Sequence, residues 1–178
     1  PGFVWAHDSL GDTLLAQGKP DEAVASFRRA IELDPDLAIA HSRLGNALAG
    51  QGKTDEALAS FRRAIELDPD LATAHVNLGV ALVKSGDVPV GSALLDEVGR
   101  MPGANEEQRS LRDRANVALG FSALQDGRSD DARNVLQRVR LQSLQANKAL
   151  LGFGWAAANA KQHEQALVPW TELAGRSV

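Results

Sequence analysis

Apolar side chains recur at spacings of three and four along residues 4–37, first at Trp5, Leu10, Leu14 and Leu15, then at Ala23, Phe27, Ala30 and Ile31. Each set falls on one face of a helix, so the segment predicts two amphipathic helices. Gly18 stands between them, where a helix end favours a residue that tolerates positive φ. Pro20 suits the first turn of the second helix, with Asp21 and Glu22 at its positive dipole end. Asp34-Pro35 closes the pair, since proline pushes the preceding residue out of the α region.

The same pattern then returns. Residues 38–71 match residues 4–37 at 24 of 34 positions without a gap, and a fixed period of this length marks an α-solenoid of stacked antiparallel helix pairs. Thr54 is expected to cap the second helix of this repeat. The third repeat, 72–105, keeps Leu78, Gly79, Leu82 and Gly86 but then diverges, with Gly91 in the place of Ala23 and Ala57. Gly costs about 1 kcal/mol against Ala inside a helix, so this hairpin is expected to be the softest. Residues 106–112 exceed the period, and Asn105 with Gln108 three places on reads as a capping box. They predict two extra helical turns, projecting beyond the stack, ahead of a fourth repeat at 113–146, where Ser129 takes Thr54's capping place. In the fifth repeat, 147–178, Lys161 replaces the turn glycine, so a different turn is expected, and Pro169 falls inside the second helix, implying a short or kinked element.

The whole of 1–178 reads as a single all-α solenoid segment. It starts at Pro1 and stops two residues short of a fifth full repeat, which suggests a piece of a longer array. Charged residues make up 24% and no run of about 18 apolar residues exists, so neither disorder nor membrane insertion is indicated. The net charge of −4 is uneven: residues 1–71 carry 7 basic and 12 acidic side chains, residues 72–178 carry 12 and 11. Nucleic acid is not expected as a partner, because phosphate binding needs a basic stripe. Zero cysteines excludes disulfides and thiolate metal sites but fits a soluble protein of either the cytoplasm or a bacterial periplasm.

At His41, Leu44-Gly45, Leu48, Ala57, Phe61, Ala64 and Pro69 the second repeat resembles the tetratricopeptide repeat family. The likeness covers nearly all the chain, closely in two repeats and partially in the third and fifth. It implies a right-handed superhelix whose concave face, built by the first helix of each repeat, binds a peptide or protein segment. It implies no chemistry and no cofactor. His7, His41 and His75 stand where the family has Trp. Some members clamp a partner's C-terminal carboxylate with lysine, asparagine and arginine; here Asn46 and Asn77 match, but Ser42 and Ala118 replace the needed cations, so that capture is not expected.

The histidines recur at the repeat period, yet packed helices lie about 8–10 Å apart, too far to share a metal. They are read as packing residues with a hydrogen-bonded ring nitrogen. Arg28-Arg29 and Arg62-Arg63 are read as pairing with Glu32 and Glu66 on solvated faces. Asp8, Asp12 and Asp21 lack a nearby nucleophile or histidine, so no acid-base dyad is inferred and the chain is not expected to be an enzyme. The candidate partner-binding set lies on first helices. Arg43, Asn46, Asn77, Val80 and Lys84 precede the insertion; Arg114, Val117, Phe121, Leu151 and Trp155 follow it. Phe121 and Trp155 share one repeat position, where Asn46 is polar, and make either an apolar anchor or inter-repeat core. The function expected is a non-catalytic scaffold for a protein or peptide partner. Two alternatives are self-assembly through exposed repeat ends and a regulatory arm of an enzyme whose catalytic domain lies elsewhere.

Overall fold

The computed structural model describes residues 2–176, so the chain ends used above, Pro1 and Val178, lie outside the described residues. Ten helices follow in order: α1 (Gly2–Ala16), α2 (Pro20–Leu33), α3 (Ala38–Gly50), α4 (Thr54–Leu67), α5 (Ala72–Ser85), α6 (Val88–Arg100), α7 (Glu106–Gln125), α8 (Ser129–Leu136), α9 (Ala146–Asn159) and α10 (His163–Gly175). No strand is present among the described residues. The chain divides into two compact units, Pro1–Asp87 and Val88–Val178. The third sequence repeat is thereby shared between them: α5 packs on α3 and α4, and α6 packs on α7.

Within each unit the helix pairs meet through a glycine on the first helix. A Cβ on Gly45 would stand 2.6 Å from the Phe61 ring, and one on Gly120 would stand 2.5 Å from Leu136. Gly11 under Phe27 and Gly154 under Trp170 are closer still. The glycine of the repeat is therefore a socket, and the large side chain 16 residues later is its plug. Phe27 and Phe61 are accordingly among the most deeply buried residues, and each is worth about 1.5–3 kcal/mol of hydrophobic stabilisation.

The turns between paired helices place Gly18, Gly52 and Gly127 at φ of 73°, 76° and 73°. Lys161 adopts φ 60° at the same place, so the fifth turn keeps the common geometry and a lysine bears its strain. This corrects the expectation of a different turn: the repeat's hydrogen bonds, Lys161 N–H to Ala158 C=O and Gln162 N–H to Ala157 C=O at 2.9 Å each, hold it. Thr54 and Ser129 are not caps either. Each is the first helical residue, behind Lys53 and Arg128, and neither cap position makes a side-chain hydrogen bond. They occupy the position of Pro20, whose fixed φ is already helical.

Asn105 does cap α7: its Oδ1 accepts from Gln108 N–H at 2.8 Å, and Gln108 Oε1 accepts in return from Ala104 N–H at 2.8 Å. The extra turns at 106–112 are helical. They do not project freely, because Arg140 donates from Nη1 to Glu106 at 2.9 Å and from Nε to the buried Asp113 at 2.8 Å. α10 runs unbroken through Pro169, which is buried. α8 departs most: it ends at Leu136 after 8 residues, where α2 and α4 have 14.

Candidate functional site

The ten candidate residues fall five in each unit. In the first unit Arg43 on α3 reaches back to α1, pairing with Asp8 and, at 3.2 Å, with Asp12. Asp8 is fully buried. Burial pushes its carboxyl above the ordinary range, and the attraction of Arg43 only partly offsets that. Arg43 is thus a partner of its own repeat neighbour. Asn77 is also interior, at 3% exposure, with its Nδ2 3.5 Å from Ser42 Oγ. Asn46 and Lys84 are exposed and Val80 is half-buried.

His41 and His75 behave as read. His41 Nε2–H donates to Pro35 C=O at 2.9 Å and His75 Nε2–H to Pro69 C=O at 2.8 Å, tying the start of a first helix to the proline that precedes it. Arg29 pairs with Glu32 at 2.7 Å and Arg63 with Glu66 at 3.2 Å along their own helices. Arg28 instead crosses to Glu56 of the next repeat at 3.2 Å.

In the second unit Val117 belongs to the core, at 8% exposure, because it packs among Ala132, Leu136 and Ala149. Arg114 is exposed and Leu151 is half-buried. Phe121 and Trp155 are brought together: their ring centroids lie 6.1 Å apart at 77°, an edge-to-face pair. Phe121 reaches this place over Gly152, where a Cβ would stand 3.1 Å from its ring. It is half-buried, whereas Trp155 is 47% exposed. With Leu124, Gln125 and Asn159 they line a recess of about 420 Å³ on the face made by α7 and α9. Asn159 was missed from sequence, although it follows Trp155 by one helical turn; Gln125 falls, by period, on the same groove-facing side as Phe121.

A second recess, of about 640 Å³, was also missed. It opens where α8 stops early, walled by Leu136, Val139, Leu150, Phe153, Val168 and Pro169. No proline or glycine announces the end of α8, so the sequence pattern predicts a full-length helix there.

The tetratricopeptide repeat sequence model matches residues 9–72, 43–104 and 117–176. The chain belongs to the tetratricopeptide repeat family. Among solved structures, MamA (residues 41 to end) from Desulfovibrio magneticus RS-1 is similar with a TM-score of 0.77 and 18% identity, over 98% of this chain and 95% of that one. PilF of Pseudomonas aeruginosa gives a TM-score of 0.85 and 21% identity over 98% and 76% of the two chains. YrrB gives 0.67 and 20% over 94% and 82%. At these identities the likeness is one of fold. No curated protein matches the sequence. Tetratricopeptide repeats serve as protein-interaction scaffolds and are generally non-catalytic. Among the described residues of this member, no helix is long and apolar enough to cross a membrane.

Proposed function

We propose that this chain is a non-catalytic scaffold whose second unit docks a segment of a partner protein on the face of α7 and α9, with Phe121 and Trp155 as anchors. The observation that carries the reading is the half-exposed indole of Trp155 at the mouth of the 420 Å³ recess. At the equivalent positions of the first unit stand Asp12 and Asn46, both exposed and polar, and Val80, which is half-buried and much smaller than an indole. A large aromatic left in water at such a position is the expected centre of an interface. Leu151, one turn before Trp155, extends the apolar strip, and Arg114 stands at its edge. Asn46, Val80 and Lys84 are candidate contacts of the first unit taken by itself. YrrB, similar in fold, is described as a tetratricopeptide protein with an unusual peptide-binding site, which supports the class of ligand.

The test compares the protein with Trp155→Glu in a pull-down from native extract, with circular dichroism to check that helicity is kept. A partner retained by the parent and lost by the folded variant is the expected result. A folded variant that holds every partner removes the reading.

A second reading, self-association, is favoured by Leu167 on α10. It is 60% exposed, whereas its repeat equivalents Val24 and Leu58 are 5% and 9% exposed beneath a following helix. Sedimentation equilibrium of the parent and Leu167→Glu discriminates. A mass that rises with concentration only in the parent supports self-association, and a constant monomer mass in both eliminates it.

A further inference from the structure

We infer that the recess of about 640 Å³ beside α8 receives the apolar face of an amphipathic helix from a partner protein. It is a second site, apart from the docking face proposed above, and the two recesses share no lining residue. The repeat itself shows what is missing there. In the first unit α2 continues as a helix through residues 28–33, whereas the matching residues of the second unit, 137–142, leave the helical path. Six residues of helix span about 9 Å. The layer of second helices over α9 thus stops early, and Ala149, Leu150 and Phe153 on the N-terminal half of α9 face the recess. A helix laid there continues the α8–α9 interface that the fold already makes.

Exchanges between the two units make the place open and apolar. In the first unit two ion pairs cross it, Arg28 to Glu56 at 3.2 Å and Arg63 to Asp36 at 3.6 Å. Their counterparts in the second unit are Gln137, Gln165, Glu172 and Gln145, which form no such pairs. Leu150, Val168 and Pro169 line the recess where the first unit has His41, Ala59 and Ser60. Glu172, the one charged lining residue, is held by Arg176 at 3.0 Å. Arg176 also donates to Leu141 C=O at 2.9 Å, which fastens the 137–145 segment to α10 and fixes one wall. No lining charge is left uncompensated, so the complementary guest is neutral and apolar.

Backbone chemistry selects a helix among apolar guests. An extended segment would bury N–H and C=O groups against walls that offer few partners, whereas a helix satisfies its own. A small hydrocarbon would fill the floor but leave the rim in water, because Val168 is 70% exposed and Leu141 is 53% exposed. A helix covers both. The expected guest carries leucine-sized side chains at i, i+4 and i+7, the anchors of a helix in a groove.

The test follows the methyl resonances of Leu150 and Val168 by NMR. The probes are a capped helical peptide of alanine, glutamine and lysine with leucines at i, i+4 and i+7, an isomer of the same composition whose leucines are spread round the helix, and decanol. Saturable movement of both methyl signals by the first peptide is expected, about tenfold tighter than by its isomer. Val168→Glu, a change at the exposed rim, abolishes the response. Gln137→Arg with Gln165→Glu, which restores the first unit's cross-helix pair, weakens it. Circular dichroism checks that both variants keep their helicity. Equal binding of the two peptides removes the helical guest. Movement by decanol but by neither peptide reassigns the recess to a small hydrocarbon. If the peptide moves the Trp155 indole signal in place of these methyls, it has taken the α7–α9 face and the second site falls while that face stands. A folded Val168→Glu variant that binds as the parent does, or methyl signals that no probe moves, overturns the site.

Discussion

Gly45 has no room for a side chain, because the Phe61 ring occupies the space in which its Cβ would stand, 2.6 Å from Cε1. Phe61 is itself enclosed, so neither partner can yield cheaply. Gly45→Ala is expected to destabilise the first unit by about 1–3 kcal/mol, as overpacking does, and urea denaturation measures it. An unchanged midpoint would mean that the socket is looser than its geometry. Lys161 presents the opposite case. Its φ of 60° is one that a lysine adopts at a cost and a glycine adopts freely. Lys161→Gly therefore removes strain from the α9–α10 turn, and a gain of about 0.5–1 kcal/mol in thermal stability is expected after the greater flexibility of glycine in the unfolded chain is counted. A loss of stability would show that the side chain of Lys161 makes a compensating interaction.

At the scale of elements, what the sequence makes legible is what repeats. The glycine sockets, the apolar plugs, the turn glycines and the Asn105 cap follow from local pattern, and α1 to α7 appear close to where that pattern puts them. The early end of α8 was hidden because the contacts that accompany it lie far off in the sequence. Arg140 leaves the helical path and reaches Asp113, which is fully buried, and Glu106 on the extended front of α7. Burial of Arg43's partner Asp8 was hidden for the same reason, as helical periodicity does not show which neighbouring helix covers a polar residue. Phe121, Gln125 and Trp155 were found by period, but Asn159 was not, since Asn at a helix end carries no signal by itself.

The Arg140 tether has a consequence for α7 as a unit. Arg140→Met leaves the Asp113 charge buried beside Arg112, whose guanidinium lies 3.7 Å from Oδ1. Breaking a buried pair from one side costs about 3 kcal/mol or more, and replacing both partners by apolar groups recovers much of it. The single variant is expected to lose hydrogen-exchange protection in 106–112 and overall stability. Arg140→Met with Asp113→Leu is expected to regain most of the stability. If the double variant is as weak as the single one, the tether acts through geometry and not through the uncompensated charge.

Across the whole molecule the two units respond to acid in opposite senses. In the first, Asp8 titrates above its ordinary value of 3.8, because burial outweighs Arg43. Its folded pKa exceeds its unfolded one, so its contribution is fully present below about pH 3.8 and is lost as pH rises through the folded value. In the second unit burial also pushes Asp96 up, but hydrogen bonds from Arg138 at 2.9 Å and Arg100 at 2.7 Å outweigh it and bring it below 3.8. Glu106 is held below 4.5, chiefly by its hydrogen bond from Arg140. Their contributions are present above the unfolded values and are lost as pH falls through the lowered ones. Acidification from pH 6 to pH 3 is therefore expected to shift stability from the second unit toward the first. Hydrogen-exchange protection factors, corrected for the intrinsic pH dependence of exchange, report each helix separately. Protection in α6, α7 and the 137–145 segment should fall further than protection in α1 and α3. Asp8→Asn isolates the acid term: the neutral isostere removes the first unit's gain at low pH and is no less stable than the parent at pH 7. A parent whose two units lose protection equally, or an Asp8→Asn variant that is weaker at pH 7, would show that Arg43 outweighs burial and that the sign assigned to Asp8 is wrong.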